Sequence, residues 1–425
     1  MACGVGVIGA GVVGGGVVKT LLQNAASIRE KTGLEVALKH ICELRQENLA
    51  EFDLTGVKVT QDALALINDP EVHVVCELIG GLEPANKFIT AALKAKKHVV
   101  TANKMLLAHH GAELCRLAID NGVELRYEAS VAGGIPIIKA IREGLVANRI
   151  QFAFGILNGT CNYILTRMTE EGLEFETALG QAIELGFAER PPDLDILGHD
   201  TAHKCQILAS LCFSTEVDLN DVHVEGITKV THADVIYARE LGYIIKLLAI
   251  VRDQGEEIDA RVHPTLVPLD HLLASVRREF NAVYVQSDIV DATLYYGRGA
   301  GRMPTASAVV ADIVDIAKRG AQGPVPAPFV YGKRRPVRSI AALDSRYYLR
   351  LTTLDEPGVL GKVFTIMGDN GISIASCIQK DDHSDDDVHV VIMTHETTEA
   401  ALQKALAEIE KLDFVREETH VLRVL

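Results

Sequence analysis

The sequence has few of the features that mark several classes of protein. Its 425 residues include no tryptophan and only 5% aromatic residues, and its eight cysteines form no C-x-x-C pair. Scattered cysteines with apolar neighbours predict reduced thiols in a core rather than a disulfide framework. No apolar run approaches the roughly 18 residues of a membrane span, and the N-terminus lacks the basic flank of a signal peptide. We therefore expect a cytoplasmic protein with no membrane partner.

Positive charge is also scarce. The chain has 42 lysines and arginines against 57 acids, which gives a formal net charge of -15. This balance, without any basic run, argues against a nucleic-acid partner. A chain of this length can form two or three domains, and because 48% of its residues are hydrophobic it can bury a sizeable core. The sequence therefore predicts a globular protein whose ligands are small molecules.

A glycine-rich turn follows the first predicted strand. The strand runs to Ile8, the segment GAGVVG at 9–14 matches G-x-G-x-x-G, and a helical pattern comes next. These glycines permit a tight turn and close approach of a pyrophosphate to the helix N-terminus. A turn used only for packing is the alternative, but the position after the first strand favours dinucleotide binding. The candidate cofactor-binding residues are Gly9, Ala10, Gly11, Val12, Val13 and Gly14.

The second predicted strand, residues 35–41, ends at Cys42-Glu43-Leu44-Arg45. At this position an acid binds the adenosine ribose of NAD, whereas an arginine favours the 2′-phosphate of NADP. Both residue types are present, so the choice between NAD and NADP stays open, with Arg45 as a cofactor-binding candidate.

Further strands at 72–81 and 98–104 alternate with helices at 84–95 and 109–121. This alternation predicts an α/β fold of the Rossmann type, with a doubly wound parallel sheet. Lys104 ends the last of these strands at the carboxyl edge, where such sheets bind ligands. We expect Lys104 to contact the cofactor or to act as an acid or base, the alternative being a solvent-facing loop lysine.

The segment 184–208 combines charged residues with residues that should be buried. A helix is predicted from Gly198 to about residue 213, and its apolar stripe, projected backwards, reaches Lys204 and Asp200. Buried charges are costly unless they are paired or used. A structural Asp-Lys pair is one reading, but further acids upstream favour a lining for a cationic or zwitterionic substrate, and Pro191-Pro192 exclude a helix there. These upstream acids are Glu189, Asp193 and Asp195.

Changes of pattern predict the domain organisation. Residues 1–145 form the dinucleotide-binding domain, completed by a helix at about 300–320 after a glycine-rich loop, and residues 146–300 form an α+β substrate-binding and oligomerisation domain. Residues 321–345 are rich in proline and basic residues and predict a linker. Residues 346–425 follow the order β-α-β-β-α-β of a small, separate ferredoxin-like domain. The turn VAGGIP (131–136) follows Glu128. Its backbone oxygens, with the Glu128 carboxylate, could hold a hard cation, and the alternative is an ordinary tight turn.

The chain resembles homoserine dehydrogenases over essentially its whole length. The segments that carry the resemblance are GVIGAGVVGGGV, ELIGGLEPA, KHVVTANKMLLAHHG, YEASVAGGIPII, GILNGTCNYIL, LGFAE, DLDILGHDTAHK and GRGAGRMPTASAVV. The C-terminal segment LDEPGVLGKVF is similar to that of an ACT domain, an amino-acid-sensing module. The resemblance implies NAD(P)-dependent interconversion of L-aspartate 4-semialdehyde and L-homoserine, in threonine, methionine and isoleucine biosynthesis.

The resemblance also implies roles for individual residues. Lys204 and Lys104 would be the acid/base lysines, with Asp200 also catalytic, and Gly301 would join the cofactor site. The substrate ammonium would be held by Glu189, Asp195 and Asp200. A sodium ion would be bound by Glu128 and the carbonyls of Val131, Gly133 and Ile135. An amino-acid effector such as L-threonine would bind the ACT domain of a homodimer or homotetramer.

Three departures from the family pattern stand out. Arg190-Pro191-Pro192 replaces a frequent Ala-Asp-Pro, Cys42-Glu43 replaces a frequent Arg-Asp, and Cys161 stands where threonine is usual. The first removes one acid, and the second weakens a strict NADP preference. Two other readings remain: a dinucleotide and amino-acid sensor without turnover, and a different small amino-acid dehydrogenase on the same fold. A sensor has no need of two inward-facing lysines.

Overall fold

The computed structural model describes residues 2–188, 190–320, 331–380 and 387–425. Glu189, one of the candidate substrate-binding residues, lies outside them. None of the described helices has the length and apolar composition that crossing a bilayer would require.

The N-terminal part is built around a parallel sheet. Its strand order, β3-β2-β1-β4-β5-β6, is that of a dinucleotide-binding sheet, and every pairing in it is parallel. Helices cover both faces, so β1 and β4 are buried along almost their whole length. The elements are β1 (Cys3–Ile8), α1 (Val12–Thr32), β2 (Val36–Cys42), β3 (Lys58–Thr60), α2 (Ala63–Ile67), β4 (Val74–Glu77), α3 (Glu83–Lys94), β5 (His98–Thr101), α4 (Lys104–Asp120), β6 (Leu125–Arg126) and α5 (Ile137–Lys139).

The middle part contains a second, mixed sheet with helices packed on one face. Its central hairpin pairs two twelve-residue antiparallel strands, β9 and β10. The last helix, α11, returns to the first part and packs against α1. The elements are β7 (Ile150–Ile156), α6 (Gly159–Glu171), α7 (Phe175–Glu184), α8 (Asp193–Ile196), α9 (His199–Phe213), β8 (His223–Val224), α10 (His232–Glu240), β9 (Tyr243–Gln254), β10 (Glu257–Pro268), β11 (Phe280–Ser287), β12 (Ala292–Arg298) and α11 (Arg302–Gly320).

The C-terminal part has the predicted β-α-β-β-α-β order, formed by β14, α12, β15, β16, α13 and β18. Its elements are β13 (Asp344–Ser345), β14 (Tyr347–Leu354), α12 (Val359–Asp369), β15 (Ile374–Gln379), β16 (Asp387–Thr394), β17 (Thr397–Thr398), α13 (Glu399–Ile409) and β18 (His420–Val424). Helices α12 and α13 cover one face of its strands around a core of its own.

The sheets of the middle and C-terminal parts are continuous. Strand β18 pairs in parallel with β10, with Thr265 opposite Arg423, and antiparallel with β14. Tyr348 and Leu422 pack into the same hydrophobic core as the middle part. The ferredoxin-like unit is therefore present as predicted, but its sheet is joined edge to edge to the large sheet rather than lying separately.

Several element boundaries differ from the sequence expectation. Helix α4 begins at Lys104 instead of residue 109, because Asn103 caps it by accepting a hydrogen bond from the Leu106 backbone N–H at 3.1 Å. One helical turn, α8, begins directly after Pro191-Pro192, since proline is tolerated where a helix starts. The prediction of no helix across this stretch is therefore wrong for the residues after Pro192.

Candidate active site

The glycine turn lies between β1 and α1 and is shaped for close contact. A Cβ atom on Gly14 would lie 1.8 Å from the Gly9 carbonyl oxygen, whereas Gly11 has open space where its Cβ would be. No side chain caps the start of α1, and Val12 beside it is 70% exposed. Unsatisfied N–H donors and an open approach fit the pyrophosphate of a dinucleotide. The six predicted turn residues are therefore together at one helix end.

The acid at the end of β2 is turned inward. Glu43 is buried and accepts backbone hydrogen bonds from Ala10 at 2.6 Å and from Arg45 at 2.8 Å. Burial raises its pKa, but these and neighbouring hydrogen bonds outweigh that effect and lower the pKa overall. Oε2 thus holds the glycine turn and Oε1 holds the Arg45 backbone, so binding an adenosine ribose would require sharing these oxygens. Arg45 is exposed at the same strand end.

Helix α9 carries the central charged pair. It starts at the predicted place, because Gly198 adopts a left-handed conformation with φ 86° just before it. Every residue from Asp200 to Leu211 is buried. Helix α9 is therefore enclosed on all sides, not only along the predicted apolar stripe, and it also buries polar residues such as His203.

Asp200 binds two lysines. Its Oδ2 accepts a hydrogen bond from Lys204 Nζ at 2.6 Å, and its Oδ1 lies 2.5 Å from Lys104 Nζ. The Lys204 ammonium also donates to the Leu157 carbonyl at 2.7 Å. An ammonium has three N–H groups, and the described residues use two of those of Lys204, so the third can donate to a further oxygen. Lys204 is buried, whereas the side chain of Lys104 is 42% exposed.

Asn158 is a site residue that the sequence analysis missed. Its amide nitrogen donates to Asp195 Oδ1 at 2.7 Å and to Asp200 Oδ2 at 2.9 Å, so one side chain bridges two carboxylates. Its amide oxygen caps α6 by accepting from the Cys161 N–H at 2.8 Å. The segment LNGTCNYIL carries the family resemblance and was the available indication, but the order of residues alone does not show which side chain lies between the acids.

The electrostatic environment differs from one group to the next. Burial would raise the pKa of Asp200, but the ammonium groups of Lys204 and Lys104 outweigh it and hold that pKa well below its usual range. Burial lowers the pKa of Lys204, and Asp200 opposes this. Burial raises the pKa of Asp195 against the hydrogen bond from Asn158, and lowers the pKa of His203 to about 4. Several side chains with shifted pKa values in one cleft are typical of a functional site.

These residues line a cavity of about 500 Å³ between the N-terminal and middle parts. Lys104, Asn158, Asp195, Asp200 and Lys204 all contribute, and Gly301 lies at its edge just before α11. Asp193 is exposed and is not among the described residues that line the cavity. The structure thus brings together the two lysines and two of the predicted acids, beside the carboxyl edge of the dinucleotide-type sheet.

The predicted cation site lies behind the cavity wall. Glu128 is buried and accepts hydrogen bonds from the Ile138 and Lys139 backbone N–H groups, at 2.9 and 2.8 Å. Burial and the adjacent Asp312 raise the pKa of Glu128 to about 7. Each carboxylate oxygen keeps a lone pair, so a cation fits chemically and would favour the ionised form. Among the described residues no group of three or more His, Cys, Asp or Glu side chains is arranged for a metal, so a cation here would also need backbone carbonyls.

Family models and similar proteins of known name all indicate the same family. Family models described as "Homoserine dehydrogenase, NAD binding domain", "Homoserine dehydrogenase" and "ACT domain" match residues 9–128, 136–314 and 347–414. The homoserine dehydrogenase of Neisseria gonorrhoeae is 43% identical over 99% of this chain and 98% of its own. That of Bacillus subtilis is 40% identical over 100% and 98%.

A solved structure supports the same conclusion. The crystal structure of a homoserine dehydrogenase from Thiobacillus denitrificans superposes with a TM-score of 0.95 at 42% identity, covering 100% of this chain and 98% of the other. The α/β fold with a parallel dinucleotide-binding sheet, a mixed-sheet unit and a C-terminal ACT domain is thereby confirmed. The chain belongs to the homoserine dehydrogenase family, and it is an NAD(P)-dependent oxidoreductase that interconverts L-aspartate 4-semialdehyde and L-homoserine on the route to threonine, methionine and isoleucine.

Proposed function

We propose that Lys204 is the principal acid/base group of this reaction and that Lys104 and Asp200 assist it. The nicotinamide cofactor accepts or donates the hydride. In the reductive direction the developing alkoxide also needs a proton, which the unused N–H of Lys204 is placed to give. Burial lowers the pKa of Lys204 and so eases this transfer, while Asp200 fixes the direction of the ammonium.

Asp200 also links the buried lysine to a more exposed one. Its two oxygens contact Lys204 and Lys104, which is 42% exposed. A proton removed from the substrate can therefore reach solvent through a short chain of hydrogen-bonded groups. The contact of one carboxylate with both ammonium groups is the observation that carries the assignment.

We assign the substrate ammonium to the acidic side of the cavity, at Asp195. Asp195 is half-buried, and its Oδ1 is oriented by Asn158. Both oxygens of Asp200 already bind lysines, so Asp200 contributes to substrate binding by holding these lysines in place. Glu189 is assigned to the same group by family resemblance only, since it lies outside the described residues.

Substrate analogues test this assignment. The Asp195→Asn variant should lower kcat/KM for L-homoserine by about 10- to 100-fold, as expected for loss of a buried charged contact of about 1.5–3 kcal/mol. It should leave 4-hydroxybutyrate, which lacks the ammonium, nearly unchanged. Asp193→Asn removes an exposed acid two residues away and is the matched control. Equal losses on both substrates would refute an ammonium site at Asp195.

For the cofactor, we propose that the turn at residues 9–14 holds the pyrophosphate, with Lys104 and Gly301 toward the nicotinamide end. Support comes from the open space at Gly11, the uncapped start of α1 and the lining of the cavity by Lys104 and Gly301. Exposed Arg45 is assigned to a 2′-phosphate, so that both NADP and NAD are used.

We further propose a sodium ion at Glu128, with the carbonyls of Val131, Gly133 and Ile135. The buried carboxylate, which accepts two backbone N–H groups, supports this. The Ile135 carbonyl already accepts from the Ile137 N–H at 2.8 Å, so it would be shared. Replacing sodium by tetramethylammonium should lower the melting temperature of the native protein and leave that of Glu128→Gln unchanged. An equal response of both proteins would refute the site.

The remaining proposals concern domains, assembly and location. We propose that residues 1–145, with about 300–320, bind the cofactor and that residues 146–300 bind the substrate. Residues 321–345 would link these parts to residues 346–425, which would sense an amino acid such as L-threonine.

Exposed Ile289, Val290 and Tyr296 on the β11–β12 hairpin support association into a homodimer or homotetramer. Sedimentation of the purified protein tests that association. Eight free cysteines agree with a reducing, cytoplasmic location.

A further inference from the structure

A second cavity lies where the C-terminal part joins the large sheet. Its volume is about 230 Å³, and side chains from β9, β10 and β18 line it. Arg261 lies opposite Ile250 in the β9–β10 ladder, and both project from the face that packs away from α9. The cavity is thus separate from the active site, which uses the other face of the sheet.

The polar lining is dominated by cationic side chains. Four arginines contribute: Arg252, Arg261, Arg346 and Arg423. His263 also lines the cavity, and two acids, Asp344 and Glu396, are exposed at its rim. Some of these charges are already paired: Arg261 Nη1 lies 2.8 Å from Asp259, and Arg423 binds Glu225 and Glu399. These paired acids do not line the cavity, so hydrogen-bond donors dominate its interior surface.

Three nitrogens of this lining have no hydrogen-bond partner in the described part of the chain. They are the Nε atoms of Arg252 and Arg261 and the Nε2 atom of His263, each shielded from solvent. Arg261 is 9% exposed and His263 is 1% exposed. Buried polar groups are normally paired, and arginine nitrogens can only donate. Two buried N–H donors of this kind therefore lack an acceptor within one small space.

The cationic groups also repel one another. Burial lowers the pKa of Arg261, and Arg252 and Arg423 lower it further against the opposing effect of Asp259. Burial, with Arg423 and Arg261, likewise lowers the pKa of His263. An anion between these groups would relieve the repulsion and accept the unused N–H bonds, and bonds of this kind to a charged oxygen are the strong ones.

We propose that this junction cavity binds a small oxyanion, a phosphate or a carboxylate group. The oxyanion accepts from Arg252 and Arg261 in the interior, and from His263 when its Nε2 carries a proton, with Arg346 at the mouth. The rim acids Asp344 and Glu396 are placed for the ammonium of an amino acid whose carboxylate enters the cavity. Since β18 and β10 both line the site, occupancy ties the ACT domain to the catalytic sheet.

Calorimetric titration of the full-length protein tests this, with NADP saturating so that its own phosphate sites are filled. Inorganic phosphate, acetate and glycine are the probes, at constant ionic strength in chloride. We expect phosphate to bind and Arg252→Gln to weaken it about tenfold or more, as loss of one charged hydrogen bond implies. Arg29→Gln, at an exposed arginine in α1 far along the chain, is the matched control and should bind normally. Tighter binding of glycine than of acetate would identify an amino acid as the natural source, and the reverse would identify a simple anion.

Arg252 is half-buried and its guanidinium lies 5.4 Å from the Phe152 ring, so the variant's circular dichroism must match the native protein. If it does not fold, Arg346→Gln at the exposed mouth of the cavity replaces it, and phosphate binding should then weaken severalfold. Unchanged phosphate binding in a folded variant, or none in the native protein, overturns the proposal. A variant that binds phosphate normally but has a changed sedimentation coefficient also overturns the proposal. In that case a carboxylate from a second copy of the chain would fill the cavity.

Discussion

The carboxylate of Asp200 lies 2.5 Å from the ammonium of Lys104, although the two residues begin different helices in different parts of the chain. Lys104 is the first residue of α4 and Asp200 lies in the first turn of α9. This ion pair spans the cleft between the cofactor-binding sheet and the substrate unit. The site is therefore complete only when the two parts are held together.

Removing the buried lysine should abolish most of the turnover. Lys204→Met is expected to fold and to lose about 10²- to 10⁴-fold in kcat, the usual effect of losing a general acid. Lys246→Met is the matched control, because Lys246 is also fully buried, with its ammonium on Asn162 at 2.9 Å, and lies outside the active site. That control should lose stability but keep kcat. Near-native kcat in folded Lys204→Met would refute the assignment.

Replacing the acid between the lysines should move the pH profile. Homoserine oxidation needs a neutral lysine, so kcat rises with pH through the pKa of Lys204. Asp200 raises that pKa. Asp200→Asn should therefore shift the rising limb to lower pH while also lowering the maximum rate. Rates of L-homoserine oxidation across the pH range check this, and an unshifted or upward-shifted limb would contradict it.

Loss of the Asn158 bridge should affect substrate binding. Asn158→Ser keeps a side chain able to cap α6 but cannot reach both acids. Burial raises the pKa of Asp195 and Asn158 opposes it, so the variant should protonate Asp195 at higher pH. We expect KM for L-homoserine to rise severalfold, more at low pH than at high pH. A purely structural role would instead change stability with KM independent of pH, and Asn158→Gln should restore part of the binding.

How much of this site the sequence could predict depends on the range of the interaction. The glycine turn, the start of α9 at Gly198 and the pair Asp200–Lys204 are local patterns, and the structure shows each of them. The bridge from Asn158 to Asp195 spans 37 residues, and no periodicity encodes such a contact. Similarly, Glu43 has the residue type of a ribose ligand, but only the fold reveals that its carboxylate binds the Ala10 backbone.

In the fold, too, local patterns were predictable from the sequence and long-range contacts were not. Alternating strands and helices predicted the parallel sheet, and the order of elements predicted the ferredoxin-like unit. The pairing of β18 with β10 was not predictable, because their paired residues Thr265 and Arg423 are separated by most of the C-terminal half. Strand edges carry no sequence pattern that names their partner.

Cofactor use should be mixed. With Glu43 committed to the backbone and Arg45 exposed, we expect both NAD and NADP to support turnover, with a kcat/KM ratio below roughly a thousandfold, or about 4 kcal/mol. Arg45→Ala should lower kcat/KM for NADP by about tenfold and leave NAD unchanged, since only NADP carries the 2′-phosphate. Steady-state kinetics with each cofactor decide this. A larger preference for either cofactor, or equal losses in the variant, would contradict it.

The ACT domain should lose effector binding when the start of α12 is distorted. Gly358 precedes α12 with φ 95° and leaves uncapped N–H groups that suit a carboxylate. A left-handed conformation costs an alanine about 1–2 kcal/mol, so Gly358→Ala should turn these N–H groups away. The inhibition constant of L-threonine should rise about tenfold, which is within the 1–3 kcal/mol typical of coupling between sites.

Gly371→Ala is the matched control. Gly371 lies just past the other end of α12 with φ 74°, and like Gly358 it has no atom within 4 Å of an added Cβ. Point variants are preferable to truncation here, because removing residues 346–425 would delete Tyr348 and Leu422 and so expose the part of the shared core that packs against them. Equal sensitivity of the two variants to threonine would place the effector site elsewhere.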